Sequence, residues 1–214
     1  MSAGSITDRA ARAHAYENPR PDVQALVPPA ARRILDLGCA SGALGAALKA
    51  RQGCTVVGVE ADGGYARDAE ARLDRVVVAD LAGGLPDGLG RFDCVVAADV
   101  LEHLPDPWPV LRDAAALLEP GCRAVISLPN ARHWELFWEV GVRGRWPRRS
   151  AGIFDAAHLR WFTLAEVYGL CTEAGLAVEE VRRVPRPGAA AWTARVPGVR
   201  AFGAFQHVVA ARRC

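Results

Sequence analysis

The chain has 214 residues, enough for one sizeable α/β domain but short for two independent cores. Hydrophobic residues make up 51% and charged residues 23% of it, as in a soluble globular protein, and the formal net charge of +2 is too small to indicate a nucleic-acid partner. It contains no apolar run of about 18 residues, and its start, MSAGSITDRAARAH, lacks the apolar core of a secretory signal, so we expect a cytoplasmic protein without a membrane span.

Short β-rich runs alternate with helical stretches from Arg32 onward. The predicted strands are RRILDLG, TVVGVE, RVVVAD, FDCVVAAD and CRAVISLP, and the predicted helices between them are SGALGAALKARQG, GGYARDAEARL and DPWPVLRDAAALLEPG. Continuous apolar strands separated by helices of about ten to fifteen residues are typical of βαβ units, in which both faces of a parallel sheet are covered. The pattern therefore predicts a doubly wound α/β fold.

Several residues are expected to begin or end these helices. Ser41 can cap the helix after the first strand, and Gly53 can end it in a left-handed conformation. Thr163, with Glu166 three residues on, predicts a capping box for the helix LAEVYGLCTEAG, which Gly175 would end.

The two ends of the chain complete the predicted domain. AVEEVRRV and FQHVVAARR are interpreted as two closing strands of a terminal hairpin, joined by the loop PRPGAAAWTARVPG. Residues 1–30 have weak helical character and a VPP break, and we expect them to form a cap rather than a domain. The chain is therefore expected to form a single domain, 1–214.

Six cysteines raise the question of disulfides or a zinc site. No CxxC pair exists, and most of the cysteines lie in or beside apolar runs, namely Cys39, Cys54, Cys94 and Cys122. We expect them to be reduced and to pack as small hydrophobic residues, with no metal bound to them.

A glycine-rich turn follows the first predicted strand, in RILDLGCASGALG. Ligands of doubly wound sheets bind beyond the carboxyl ends of the strands, so this turn is the expected binding loop. Its glycines, Gly38, Gly42 and Gly45, have a wider first gap than the GxGxxG of dinucleotide-binding oxidoreductases. Asp36 would repel a pyrophosphate here, whereas it would attract a cationic or zwitterionic ligand.

Two further acids end the next two predicted strands. Glu60 can accept hydrogen bonds from ribose hydroxyls, Asp80 can accept one from an adenine amino group, and the Leu81 backbone can donate to a ring nitrogen. Each acid alone could be a turn cap or a surface charge. Together with Asp36 they indicate a nucleoside site without a phosphate, a description that S-adenosylmethionine (SAM) meets.

Six motifs resemble, in order, those of class I SAM-dependent methyltransferases: ILDLGCASG, VVGVE, VVVADL, FDCVVAADVLEHLPDP, LLEPGCRAVISLPN and FDAAHLRWFT. The DVLEHL and HLRWFT motifs are similar to those of ubiquinone-type O-methyltransferases. The resemblance runs from residue 32 to 184, and the last strand, AFQHVVAAR, also fits it. It implies a Rossmann-like sheet of seven strands, mostly parallel with the last strand antiparallel, and helices on both faces.

The resemblance also implies where SAM would lie. Asp36, Gly38 and Gly42 would line its methionine end, Glu60 its ribose, and Asp80 with Leu81 its adenine. Many relatives have glycine at the position of Ala40, and alanine would be tolerated there if its φ is negative. The complete set of expected SAM-binding residues is Asp36, Gly38, Cys39, Ala40, Gly42, Glu60, Ala61, Asp80, Leu81, Ala98 and Asp99.

Three titratable residues follow the fourth predicted strand: Asp99, Glu102 and His103. One helical turn would bring them together at the rim of the site. If the acceptor is a hydroxyl, His103 can take its proton as general base and Glu102 can orient the imidazole. The other interpretation is that His103 only caps a turn or helix. We expect methyl transfer to a small molecule, with a hydroxyl favoured over an amine, and the remaining alternative is a non-catalytic SAM-binding subunit.

A different use of these residues involves His158 in DAAHLRWF. RNA-terminal 2′-O-methyltransferases and certain quinone methyltransferases resemble this pattern and gather such residues around a divalent ion. Asp99, Glu102, His103 and His158 could do the same, although Asp99 is one methylene shorter than the glutamate of those relatives. The favoured expectation is no metal, with His158 fixing the loop under the helix that begins near Thr163.

The segment 131–162 is expected to be a substrate-facing insert above the methyl group. Trp134, Phe137 and Trp138 share one helical face, and we expect most of its aromatic residues to pack the insert onto the sheet rather than bind an acceptor. The basic cluster that follows could be a solvated face, bind an anionic acceptor, or touch an anionic membrane; it consists of Arg143, Arg145, Arg148 and Arg149.

Overall fold

The computed structural model describes residues 16–186 and 199–214, which form a seven-stranded sheet covered by helices. The strands are β1 (Arg33–Leu37), β2 (Thr55–Glu60), β3 (Arg75–Val78), β4 (Phe92–Ala98), β5 (Leu118–Pro129), β6 (Leu176–Pro185) and β7 (Ala204–Arg213). Their order in the sheet is β3-β2-β1-β4-β5-β7-β6, and β7 runs antiparallel to the other six strands, which are mutually parallel. The predicted mostly parallel fold with an antiparallel last strand is confirmed.

The helices are short and lie between the strands. In chain order they are α1 (Pro21–Gln24), α2 (Ala43–Gln52), α3 (Gly63–Glu70), α4 (Pro107–Ala116), α5 (Trp134–Leu136), α6 (Leu164–Glu173) and α7 (Arg200–Gly203). A π-helical turn, Phe137–Val142, continues α5, and 3-10 turns follow β3 at Leu81–Gly83 and β4 at Leu101–His103. Within residues 16–186 and 199–214, no helix has both the length and the apolar character needed to cross a bilayer.

Both faces of the sheet are buried, which is why its central strands are continuously apolar. In β1, Leu35 and Leu37 belong to the core layer that also contains buried residues of α4 and α6. Ile34 precedes Leu35 and points to the opposite face, so it belongs to the layer that contains buried residues of α1, α2 and α3. The two layers hold the carboxyl ends of the parallel strands at one edge of the sheet.

The start of α2 differs from the prediction. Gly42, not Ser41, is its N-cap residue, with a φ of 79° and no side-chain cap. The Ser41 hydroxyl instead donates to the carbonyl oxygen of Tyr16 at 2.8 Å, so it ties the N-terminal segment to the loop. The predicted end of α2 is confirmed, because Gly53 is left-handed with a φ of 61°.

The capping box of α6 is confirmed. The Thr163 side chain accepts from the backbone of Glu166 at 3.4 Å, and the Glu166 carboxylate accepts from the backbone of Thr163 at 2.6 Å. Gly175, with a φ of 73°, follows the end of this helix as predicted. By contrast, β5 begins at Leu118, earlier than the predicted CRAVISLP, because Leu118 pairs with Phe92 before a register shift.

The closing strands β6 and β7 pair directly as an antiparallel hairpin, from Leu176 with Arg213 to Pro185 with Ala204. Most of the predicted loop between them, 187–198, lies outside the described residues, as do residues 1–15 of the predicted cap. The expectation of buried thiols is confirmed for Cys39, Cys54 and Cys94, whereas Cys122 is half-buried.

Candidate functional site

A cavity of about 1170 Å³ opens at the edge of the sheet where β1, β2, β3 and β4 end. Every residue predicted for the binding or catalytic site lines this cavity except Gly42; the lining set is Asp36, Gly38, Cys39, Ala40, Glu60, Ala61, Asp80, Leu81, Ala98, Asp99, Glu102, His103 and His158. The cavity therefore brings together residues from the ends of β1 to β4 and His158 from the insert, which is 122 positions from Asp36.

The loop after β1 is held tightly against its neighbours. The backbone N–H groups of Gly38 and Cys39 donate to the carbonyl oxygen of Val59 at 2.8 and 3.1 Å. Gly38 has a φ of 67°, and a Cβ there would lie 2.7 Å from Cγ2 of Val100. Only glycine fits both the conformation and the space.

Ala40 has a φ of +46°, so the condition of a negative φ is not met. Its backbone N–H donates to Oε2 of Glu60 at 2.9 Å, and this bond holds the left-handed turn. The loop thus keeps a conformation typical of glycine with a methyl group present, at a cost of about 1 kcal/mol.

Gly42 is closely packed, and its expected contact with a ligand stays a prediction. A Cβ at this position would lie 3.2 Å from the Cα of Ala69 in α3, and it would also crowd Leu73. The glycine allows α2 to begin close to α3, and its backbone does not reach the cavity wall.

Asp36 lies at the base of the cavity and is only 2% exposed. Its Oδ2 atom has no hydrogen-bond partner among the described residues. Burial, and next the charge of Glu60, raise the pKa of the Asp36 carboxyl to about 7. An unpaired buried carboxyl of this kind gains most from a cation placed beside it.

Glu60 and Asp80 hold backbone turns as well as line the cavity. The two oxygens of Glu60 accept from the backbone N–H groups of Ala40 and Asp62, both at 2.9 Å. Asp80 accepts from the N–H of Ala82 at 2.9 Å and caps the 3-10 turn after β3. A carboxylate has about four acceptor positions, so both acids retain capacity for a ligand.

Glu102, His103 and His158 form a close group that also lines the cavity. One donor atom from each lies within 4.8 Å of the others. The rings of His103 and His158 meet edge to face with centroids 4.8 Å apart, and Nε2 of His158 is 4.0 Å from Oε1 of Glu102. The Glu102 carbonyl accepts from Leu159 and Arg160, which holds the His158 loop against the turn after β4.

The electrostatics favour the neutral forms of the Glu102 and His158 side chains. Glu102 is 1% exposed, and neither of its carboxylate oxygens has a partner among residues 16–186 and 199–214. Burial, and next the charge of Asp99, hold the pKa of the Glu102 carboxyl well above its usual range. Burial, and next His103, lower the pKa of the His158 imidazole.

The His103 tautomer follows from its contact with the backbone. Nδ1 lies 3.1 Å from the carbonyl oxygen of Ala157. Because a carbonyl oxygen can only accept, this bond places the hydrogen on Nδ1. In the neutral ring Nε2 is then a free acceptor on a residue that lines the cavity.

Asp99 lines the same cavity as Glu102 and His103, but it is not among the three residues whose donor atoms lie within 4.8 Å of one another. It forms an ion pair with Arg20 and accepts hydrogen bonds from Ser127 at 3.0 Å and Gln206 at 2.9 Å. Its backbone is left-handed, with a φ of 55°. The four-residue metal set implied by the resemblance is therefore reduced to Glu102, His103 and His158.

Several lining residues were not predicted from the sequence. Tyr16, Asn18 and Arg20 enter from the N-terminal segment, and Phe205 and Gln206 enter from the start of β7. Arg20 reaches Asp99 across 79 positions and Gln206 reaches it across 107. No local pattern around these residues indicates such partners.

The insert contributes backbone turns and His158 to the cavity, but its helix does not. Trp134, Phe137 and Trp138 are 53%, 63% and 46% exposed, so the expected packing of the insert's aromatic residues is wrong for these three, whereas Phe154 and Phe162 are buried. The basic cluster lies along the same helix: Arg143 and Arg145 pair with Glu139, and Arg149 pairs with Glu135.

Comparison of the sequence with known protein families identifies one family. The profile of the methyltransferase domain family matches residues 11–181. No curated protein matches the sequence.

Solved structures show the same fold at low identity. A SAM-dependent methyltransferase of Thermotoga maritima, described as a possible histamine N-methyltransferase, is 19% identical with a TM-score of 0.67 over 96% of this chain and 92% of its own. A chain of a Haloferax volcanii complex that contains the Trm112 methyltransferase activator is 18% identical with a TM-score of 0.67, over 96% and 93%. An S-adenosylmethionine dependent methyltransferase of Mesorhizobium loti is 18% identical with a TM-score of 0.66, over 90% and 96%.

The family match, the sheet order and the cavity at the carboxyl ends of β1 to β4 agree with one another. The chain belongs to the methyltransferase domain family, as a class I methyltransferase that uses S-adenosylmethionine.

Proposed function

We propose that the protein transfers the methyl group of SAM to a hydroxyl of a small-molecule acceptor, with His103 as general base. The single observation that supports the base is the tautomer of His103. Its Nδ1 donates to Ala157, which leaves Nε2 free to accept a proton in the cavity. Four of the six free cysteines are buried, namely Cys39, Cys54, Cys94 and Cys171, and this supports a reducing, cytoplasmic setting.

The residues of the cavity fit SAM. Asp36 faces the cavity with an unpaired carboxyl oxygen and would attract the positive sulfonium and ammonium groups. Glu60 would accept from the ribose hydroxyls, and Asp80 with the Leu81 N–H would contact the edge of adenine. The loop residues Gly38, Cys39 and Ala40, with Ala61, Ala98 and Asp99, would complete the walls.

When bound, SAM supplies a methyl carbon that a nucleophile can displace from sulfur. His103 would take the hydroxyl proton at Nε2 as the acceptor oxygen bonds to that carbon. Ala157 would keep the imidazole in the required tautomer, and the backbone of Glu102 would keep the loop of His158 in place. Positioning of the two reactants would supply much of the remaining rate enhancement.

The N-terminal segment and the insert are proposed to enclose the two reactants within a single domain. Tyr16, Asn18 and Arg20 cover one side of the cavity. The insert, 131–162, leaves the sheet and returns to it at the bridge between Asn130 and Phe162, and its turns cover the other side.

An acceptor screen with His103→Ala tests the proposed base. Methyl transfer from SAM to hydroxyl and amine acceptors is measured by mass shift, and SAM affinity is measured by calorimetry. We expect the variant to lose about 10²–10⁴ in rate with hydroxyl acceptors while SAM affinity is unchanged. A full rate in the variant would instead favour an amine acceptor, and SAM binding without turnover on any acceptor would favour a non-catalytic subunit.

A divalent ion held by Glu102, His103 and His158 is the second candidate mechanism. It is favoured by the three donor atoms within 4.8 Å and by the partnerless carboxylate of Glu102. Such an ion would act as a Lewis acid and lower the pKa of an acceptor hydroxyl. Loss of activity with a chelator, restored by added Mg²⁺ or Zn²⁺, would support the ion over the free base.

A further inference from the structure

The helix of the insert buries its acidic side and exposes its aromatic side, which is the reverse of an ordinary surface helix. Glu135 and Glu139, in α5 and the π-helical turn that continues it, are buried, with 7% and 5% exposure. Trp134, Phe137 and Trp138 on the other side are among the most exposed large side chains of the described chain. A surface helix of a globular protein normally buries its apolar side.

Ion pairs fix this orientation. Glu139 pairs with Arg145 at 2.5 Å and with Arg143 at 3.3 Å. Glu135 pairs with Arg149 and, at 2.9 Å, with Arg186 just after β6. Turning the aromatic side inward would break these pairs, so the exposure of the aromatic side chains is built into the domain.

The exposed apolar surface continues onto α7. The guanidinium of Arg132 lies over the ring of Phe202 at 5.2 Å. Phe202 and Val199 are 39% and 44% exposed. The insert and the start of β7 therefore form one surface, which we name the basic aromatic face: segments 131–162, 182–186 and 199–206.

The charge of this face is strongly one-sided. Its three segments contain ten arginines and three acids, although the whole chain has a formal net charge of only +2. None of the three acids, Glu135, Glu139 and Asp155, is exposed, whereas the arginines at positions 132, 143, 145, 148, 186 and 200 are. The rest of the chain is thus net acidic, and three of the arginines, Arg143, Arg145 and Arg149, contact the helix that carries the exposed aromatic residues.

We propose that the basic aromatic face docks on an anionic lipid bilayer. Tryptophan and phenylalanine side chains partition into the membrane interface, and arginines beside them attract anionic headgroups. The same segments line the cavity through Ser150, Gly152 and Gln206, so docking places the mouth of the cavity near the bilayer surface.

A second copy of the chain fits this face less well than a bilayer. A two-fold contact would place the same arginines opposite one another, and the repulsion would oppose association. An anionic bilayer satisfies both the charge and the aromatic residues.

Vesicle binding can be measured without catalysis. A negative result would therefore contradict the membrane proposal and would not bear on the proposed methyl transfer. Co-sedimentation is measured with vesicles of phosphatidylcholine alone and of phosphatidylcholine mixed with phosphatidylglycerol, at low and high salt. We expect binding only to the anionic vesicles, weakened by salt because screening shortens the reach of the arginines to about 8 Å at physiological ionic strength.

Two substitutions made together, Trp134→Ser and Trp138→Ser, should weaken this binding by about tenfold or more. Both side chains are exposed, so circular dichroism and SAM binding should be unchanged. Matched controls outside the face are Tyr168→Ser on α6 and Arg112→Gln on α4, which should bind as the parent does.

Three results would overturn the proposal. These are equal binding to neutral and anionic vesicles, unchanged binding in the double variant, and no vesicle binding. Capture by an acidic protein, or self-association that the double variant abolishes, would accompany the last result if the face instead binds protein.

Discussion

The buried carboxyl of Asp36 lowers the folding stability of the ligand-free protein near neutral pH, whereas the proposed binding of SAM depends on it. Burial and Glu60 raise the pKa of its carboxyl to about 7 in the folded, ligand-free protein, against an ordinary value of 3.8. Between these pH values the folded state binds more protons than the unfolded state. The contribution of Asp36 to stability is therefore lost as pH rises from about 4 through about 7. A bound cation would favour the ionised form and reverse this effect.

Asp36→Asn should therefore stabilise the ligand-free protein while it impairs SAM binding. Above pH 7 the gain in free energy of unfolding should be up to about 4 kcal/mol, since one pKa unit is about 1.4 kcal/mol, and it should shrink as pH falls toward 4. Thermal unfolding over this pH range measures it. A variant less stable than the parent at pH 8 would contradict the assignment of an unpaired buried carboxyl.

The same carboxyl should make SAM affinity depend on pH. In the parent protein, affinity should fall as pH is lowered through about 7, because Asp36 takes up a proton and no longer attracts the cation. Calorimetric titrations at several pH values should show this trend, and Asp36→Asn should bind weakly with a flatter profile. An equally steep profile in the variant would place the titrating group elsewhere.

Gly38 and Gly53 separate the effect of backbone conformation from that of close packing. Both are left-handed, with φ of 67° and 61°, but only a Cβ at Gly38 would contact another residue, Val100 at 2.7 Å. Gly53→Ala should cost about 1 kcal/mol of stability, whereas Gly38→Ala should cost more and also weaken SAM binding. Stability is measured by denaturant unfolding and SAM binding by calorimetry. Equal losses in the two variants would show that the loop after β1 can move to accommodate the added Cβ at no extra cost.

Among the structural elements, the N-terminal segment depends on Arg20. This residue lies in a left-handed conformation, pairs with Asp22 and Asp99, and donates to Ser127 at 2.8 Å. Its side chain is 11% exposed, so it links the segment to β4 and β5 from inside the cavity wall.

Arg20→Gln should lower the free energy of unfolding by about 1–3 kcal/mol and loosen the segment 16–20, because Asp99 loses its charged partner. Asp99→Asn in the same background should add little further loss, since the pair is already broken. Limited proteolysis and denaturant unfolding measure both effects. Fully additive losses would mean that the ion pair does not hold the segment.

The sequence predicted elements best where the determinants are local. The capping box at Thr163 and the left-handed Gly53 depend on neighbours within a few positions, and both are confirmed. Ser41 has the composition of a cap, but its hydroxyl is taken by Tyr16, a partner 25 positions away. The aromatic side of the insert helix was misassigned because periodicity reveals an apolar side without showing what covers it.

At the scale of the whole molecule, the residues that end the strands were the part of the sequence that best predicted which side chains meet in the cavity. Parallel strands place their carboxyl ends at one edge, so acids that follow consecutive strands meet in space, as Asp36, Glu60 and Asp80 do. The Arg20, Ser127 and Gln206 environment of Asp99 could not be predicted in this way, because it joins the N-terminal segment, β5 and the antiparallel β7.

The fold also links the cavity to the basic aromatic face. Residues at the ends of the first three strands line one part of the cavity, and the insert and the start of β7 contribute both to the cavity lining and to the basic aromatic face. Under the proposed function, the former would bind the nucleoside and the latter would contact the acceptor.

A crystal structure with S-adenosylhomocysteine is the measurement that tests the binding site most directly. The ribose hydroxyls should lie on Glu60, the adenine edge beside Asp80 and Leu81, and the sulfur on the side of Asp36 that leads to His103. A ligand bound in the reverse direction, or one that contacts none of the three acids, would contradict the assignment.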